Sequence, residues 1–187
     1  MYEKIICLTD RKISRAPFLQ QIETICALHP LALILREKDL PEKEYLQLAR
    51  KVQEICKTYS VKFIAHTFWR VGLTLGADGV HLTLADFAAM TAERLQAGCV
   101  GVSVHSAEDI KRAVCLGAAY LVAGHIYASS CKPGVPPRGL AFLRMACELS
   151  SVPVYAIGGI GADKEQIKEV LACGAAGVCV RSALMRR

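Results

Sequence analysis

The sequence predicts an α/β fold, a compact (β/α)8 barrel of the TIM type that takes residues 1–187 as one domain. Three observations carry this expectation. Eight short apolar runs follow one another, most are continuously apolar rather than alternating, and amphipathic segments lie between them. Continuous apolarity is what strands of a parallel sheet need when both faces are covered, and strand–helix alternation repeated eight times closes a barrel. A chain of 187 residues holds one sizeable core but is short for several. The competing arrangement, an open doubly wound sheet, would place a glycine-rich dinucleotide turn after the first run, and none is there.

The elements follow in order. Ile5–Leu8 is the first run, and Leu31–Leu35 the second, ending in Arg36-Glu37-Lys38-Asp39 before Pro41. From Glu42 to Tyr59 the spacing predicts a helix with Tyr45, Leu48, Ala49, Val52 and Ile55 on one face. Val61–Ala65 leads to His66-Thr67, and Gly79–Leu82 contains His81, read as a residue packed within its strand. Cys99–Val104 leads to His105-Ser106 and a helix over Ala107–Leu116. Tyr120–Gly124 delivers His125 to a loop holding Ser129, Lys132 and Arg138. Val152–Ile157 is followed by Gly158-Gly159-Ile160 and a helix over Asp163–Ala172, and Gly177–Val180 by Arg181-Ser182. A short motif recurs: Gly76-Ala77-Asp78, Gly117-Ala118-Ala119 and Gly174-Ala175-Ala176 each end a helical pattern just before an apolar run. Seven residues follow Val180, so the eighth helix is expected to be truncated to a turn or two. That abbreviation should leave apolar surface between the seventh and first helices and so favour a homodimer.

Composition narrows the function classes. A hydrophobic fraction of 53% beside 21% charged residues argues against disorder. No apolar run approaches the roughly 20 residues that span a bilayer, and MYEKIICLTD lacks the layout of a secretory signal. A cytoplasmic protein with no membrane partner is expected. The nine cysteines are odd in number, form no CxxC pair and in several cases sit inside apolar runs, so they read as free thiols. Cys99, Cys115, Cys131 and Cys147 recur every sixteen residues, a spacing no metal site uses, and no metal site is expected. A net charge of +6 favours anionic ligands, but Lys and Arg are dispersed without a basic stripe. Nucleic acid is therefore not expected as a partner; a small phosphorylated substrate is.

In such barrels reactive groups stand at the carboxyl ends of strands, and phosphate is commonly held after strands seven and eight. Gly158 and Gly159 after the seventh, with Arg181 and Ser182 after the eighth, are the candidate phosphate site. At the end of the second strand Arg36 would face the mouth and could grip a carboxylate or phosphate. A lone His at the end of an apolar run often merely packs. At His125, the cations in the following loop favour chemistry instead. His66, His105 and Ser129 complete the candidate substrate-binding set.

LREKDL, GADGVHL, SVHS, the GHIYASSCK loop, AIGGI and the final GVCVRSAL occur in order across essentially the whole chain. In this the sequence resembles the thiamine-phosphate synthase superfamily. The superfamily has two branches: the synthase, which joins a pyrimidine diphosphate to a thiazole phosphate, and the TenI-type thiazole tautomerase, which aromatises a carboxythiazole phosphate. Departures distinguish them. The synthase pattern has Gln where this chain has Ile34, and Asn-Asp, the Asp holding magnesium, where it has His66-Thr67. The second magnesium Asp is matched by Asp86. Gly124-His125 stands where the synthase has Gly-Pro, and it resembles the tautomerase branch, as do CKPG and Arg138-Gly139. Lys132 matches a Lys of both branches. The resemblance implies an isomerase acting on a phosphorylated thiazole without metal or organic cofactor. His125 would move the proton, a task suited to imidazole, while Arg36 and Lys132 would hold the carboxylate and stabilise developing charge. A divergent synthase and a non-catalytic thiazole-phosphate-binding barrel are the alternatives.

Overall fold

The computed structural model describes residues 2–90, 96–129 and 134–187. Eight strands, β1 (Ile5–Leu8), β2 (Ala32–Leu35), β3 (Lys62–His66), β4 (Gly79–Thr83), β5 (Val100–Val104), β6 (Tyr120–Gly124), β7 (Val154–Ile157) and β8 (Gly177–Val180), pair in sequence order into one closed barrel. Every pairing is parallel, and β1 closes the ring by placing Ile6 beside Ala32 of β2 and Cys179 of β8. The sequence expectation of a (β/α)8 barrel holds, and the open sheet is excluded.

The strands read as continuous apolar runs because both of their faces are buried. Outward residues such as Leu33, Leu35, Phe63, Val80, Leu82, Val102 and Leu121 join the large core beneath the helices. Alternate residues, Ile6, Ile34, Ile64, Tyr120, Val122 and Cys179, fill the barrel interior as a separate core. β3 and β4 run one residue past the apolar runs, to His66 and Thr83, because polar side chains are tolerated where the barrel opens.

Around the barrel lie α1 (Phe18–Cys26), α2 (Glu42–Thr58), α3 (Trp69–Leu75), α4 (Leu84–Ala89), α5 (Ala107–Cys115), α6 (Gly139–Leu149), α7 (Lys164–Leu171) and α8 (Ser182–Met185). Of the expected stripe α2 buries Tyr45, Ala49 and Val52, with Leu48 and Ile55 half-buried, and it buries Gln53 and Cys56 besides. Gly76, Gly117 and Gly174 have φ of 58°, 85° and 92°, the left-handed conformation that ends each preceding helix. That is the physical content of the repeat.

The eighth helix is a single turn, as expected, but its consequence differs from the expectation. Leu184 and Met185 are buried, and the buried Gln21 of α1 donates its Nε2–H to Leu184 O at 2.8 Å. This turn closes the seam between α7 and α1. Among the described residues the exposed large apolar side chains are Val135 and Leu149, neither at that seam, which removes the ground given for a homodimer. No helix among the described residues is long and apolar enough to cross a membrane.

Candidate active site

A cavity of about 590 Å³ opens at the carboxyl ends of the strands. Arg36, His66, His105, His125, Ser129, Gly158, Gly159, Arg181 and Ser182 all line it, so the structure brings nearly every candidate site residue together. Lys132 lies outside the described residues. Polar lining groups not singled out from the sequence as site residues include Lys38, His81, Thr83 and Ser103. Lys38 lies in the turn after β2, where no strand period marks it, and His81 shares one face of β4 with Thr83, a pairing that does not by itself say which face borders the cavity.

On the β2 side, one fixed point organises the backbone. Tyr45, buried on α2, donates its hydroxyl to Leu35 O at 2.8 Å and accepts the His66 N–H at 3.0 Å, tying together the ends of β2 and β3. Beyond Leu35 the charges are sorted by direction. Glu37, 2% exposed, accepts from the Thr9 hydroxyl (2.7 Å), the Arg11 backbone N–H (3.1 and 3.2 Å) and the Arg11 guanidinium (3.0 Å). Arg11 also grips both oxygens of Asp39 at 2.7 Å. With both carboxylates held by Arg11, Arg36 and Lys38 face the cavity with no ion-pair partner among the described residues. Burial pushes the Lys38 ammonium below its ordinary range and the Arg36 charge pushes the same way, against an opposing pull from Asp86.

Four imidazoles surround the mouth, in different states. The His66 ring is pushed down to about 2 by burial, then by His81, Lys38 and Arg36; its Nδ1 meets the Thr67 hydroxyl at 2.6 Å. His81 is pushed down to about 3 by burial and then Lys38, and both its nitrogens are occupied, by Tyr120 Oη at 3.1 Å and Ser103 Oγ at 2.9 Å. Both rings are therefore neutral near pH 7. The reading of His81 as a packed strand residue holds, though it also forms part of the cavity floor. His105 donates Nδ1–H to Gly124 O at 2.7 Å, since a carbonyl can only accept. His125 is 5% exposed; its Nε2 lies 3.3 Å from Val135 O, and its Nδ1 is buried without a partner among the described residues.

The opposite wall is built on close approach. Gly158 has φ 102°, and a Cβ there would stand 2.2 Å from the His125 Cβ. Gly159 has φ 68°, and its Cβ would meet Ala128 O at 2.4 Å. Glycine therefore lets β7 run beside the segment carrying His125, where Ile126 and Tyr127 donate their N–H groups to Ile157 O and Gly158 O at 2.9 Å. Arg181, after β8, is steadied by Asp10, whose Oδ2 lies 3.3 Å from Nη1. The cavity thus has cations after β2 and after β8, and His125 after β6, across the barrel from β2.

The donor set does not fit magnesium. Thr67, in place of a carboxylate, is engaged with His66. Asp86 accepts the Thr83 hydroxyl at 2.7 Å, donates its backbone N–H to Thr83 Oγ1, the N-cap of α4, at 3.2 Å, and lines a separate depression with Trp69 and Arg70. Among the described residues no cluster of three His, Cys, Asp or Glu side chains is placed to hold a metal ion.

Known proteins agree with this architecture. Residues 5–184 match the family described as thiamine monophosphate synthase. The chain is 34% identical over 185 residues to the thiamine-phosphate synthase of Coprothermobacter proteolyticus, covering 97% of this chain and 87% of that protein. It is 38% identical over 152 residues to the thiamine-phosphate synthase of Thermus thermophilus, covering 81% and 73%. Among solved structures, thiamine phosphate pyrophosphorylase from Pyrococcus furiosus superposes with a TM-score of 0.82 at 28% identity, covering 98% of this chain and 88% of that one. With a match that runs from the first strand to the final helical turn, the chain belongs to the thiamine monophosphate synthase family.

Proposed function

We propose that this barrel is an enzyme of thiamine biosynthesis that acts on a phosphorylated thiazole as a tautomerase. Its substrate would be a carboxythiazole phosphate with an exocyclic double bond and its product the aromatic ring. The observation that carries the reading is His125: a buried imidazole at the end of β6 that lines the same cavity as Arg36, Lys38 and Arg181, with one ring nitrogen without a partner among the described residues. Aromatisation takes a proton from a ring carbon and puts one on the exocyclic carbon, so no atom is gained or lost. His125 takes and returns the proton. Arg36 and Lys38 hold the carboxylate and stabilise charge that spreads into it as the ring proton leaves. Gly158, Gly159, Arg181 and Ser182 receive the phosphate, which fixes the ring over His125. His66, His105 and Ser129 border the ring, and Lys132 would act from the loop after β6.

A second reading, a divergent thiamine-phosphate synthase, is favoured by the names of the relatives. The two separate in one pair of assays. Conversion of the carboxythiazole phosphate, followed by ultraviolet absorbance and unchanged by EDTA, supports the tautomerase. Magnesium-dependent release of pyrophosphate from a pyrimidine diphosphate and a thiazole phosphate supports the synthase and overturns the first reading.

A further inference from the structure

The sequence marks Arg138 as a cation of the loop after β6, and the proposed reaction assigns it no task. Its contacts do. Its backbone N–H donates to His125 O at 2.9 Å and its Nε–H to Gly124 O at 3.0 Å, so one residue holds the carbonyls on both sides of the His125 α-carbon. Gly139 continues the attachment by donating its N–H to Ile126 O at 3.0 Å, and the Arg138 guanidinium lies 5.5 Å from the Phe142 ring centroid. Gly124 O is held by a second donor, His105 Nδ1, at 2.7 Å.

The segment pinned down at Arg138 carries Val135, whose carbonyl lies 3.3 Å from His125 Nε2. Val135 is 52% exposed and lies three residues before Arg138, whose hydrogen bonds attach this stretch to the His125 segment. A carbonyl only accepts, and the contact therefore requires the proton on Nε2; a neutral imidazole then carries its lone pair on Nδ1. Nδ1 is buried with no partner among the described residues, so nothing there supports the opposite tautomer. We infer that Arg138 is a positioning residue that fixes the tautomer of His125, with the proton on Nε2 and the lone pair on Nδ1. The inference rests on the reading of His125 as the proton-transfer group.

Two-bond ¹H–¹⁵N correlation spectra of histidine-labelled protein test it, with the His125 signals assigned by their loss in His125→Ala. The expected wild-type pattern is Nε2–H. Arg138→Ala should give a mixture of tautomers and lower the turnover number at least about tenfold with KM little changed, because an imidazole in the wrong tautomer is poorly active. Arg138→Lys, which keeps a cationic donor near Gly124 O, should recover part of both. Circular dichroism identifies variants that fail to fold, and if Arg138→Ala is one, Arg138→Gln takes its place. An Nδ1–H wild type overturns the inference, as does an Arg138 variant whose tautomer or turnover stays at the wild-type value. If the wild type shows no tautomerase turnover, the proposed function fails, while the spectra still decide whether Arg138 sets the tautomer.

Discussion

His125 and Gly158 depend on each other. The imidazole occupies its position because Gly158 has no Cβ, and the 2.2 Å approach leaves no room for one. Gly158→Ala should therefore displace His125 as well as strain a backbone at φ 102°, with a stability loss of about 1–3 kcal/mol. Urea denaturation together with turnover would show both effects, and an alanine variant with wild-type turnover would contradict the shared position. His125→Ala itself should lower turnover about 10²–10⁴-fold, the scale of general acid–base catalysis, with KM nearly intact. Arg36→Ala or Arg181→Ala should instead raise KM, because their contacts to an anionic substrate exist before the transition state. Steady-state kinetics on the three folded variants separate these roles. Residues just past the ends of apolar runs, such as Arg36, His125 and Gly158, were legible in the sequence because the strand end itself marks the mouth. His81 was only half legible: in a run buried on both faces, nothing in the pattern says which face borders the cavity.

At the scale of elements, the turn after β1 determines what the turn after β2 can do. Arg36-Glu37-Lys38-Asp39 has no net charge as written, yet it presents two cations to the cavity because Arg11 draws both carboxylates to the other side. The composition of that turn was plain in the sequence, but its sorting was not, since the sorting depends on a contact 26 residues away. Removing the guanidinium should expose the arrangement. Arg11→Ala leaves the buried Glu37 with only the Thr9 hydroxyl and a backbone N–H, and should destabilise the fold by about 1–3 kcal/mol. That figure is below a fully buried pair because Arg11 is 28% exposed. The freed carboxylates should also compete with substrate for Arg36 and Lys38, so KM should rise more steeply in Arg11→Ala than in a variant of equal stability loss elsewhere, such as Ile167→Ala. A KM that merely follows stability would contradict the sorting.

At the scale of the whole molecule, eight apolar runs, most of them continuous, and the glycine-ended helices were enough to read the barrel from the sequence, since a parallel barrel repeats one unit whose local signals agree. The interior chemistry of that barrel shows itself in how stability depends on pH. His66 and His81 lie within one wall, their ring centroids 5.4 Å apart, and are pushed down to about 2 and about 3. An unfolded chain protonates histidine near pH 6.5. Above that value neither state takes up the proton and the two rings do not alter stability with pH. As pH falls below it, the unfolded chain gains protons that the native rings refuse until about pH 3, so stability declines by up to about 1.4 kcal/mol per pH unit for each ring. Asp39, whose carboxyl is held low by Arg11 and Lys12, acts in the same direction, but only below the ordinary carboxylate range near pH 4. The interval from pH 6.5 to 5 therefore isolates the histidines. Urea midpoints measured across it should fall steadily in the wild type and fall by about half as much in a folded His66→Gln variant, which cannot take up that proton in either state. Equal midpoints at pH 7 and pH 5 would mean that these rings are not held neutral, and would place protonated imidazoles beside Arg36 and Lys38 in the substrate cavity.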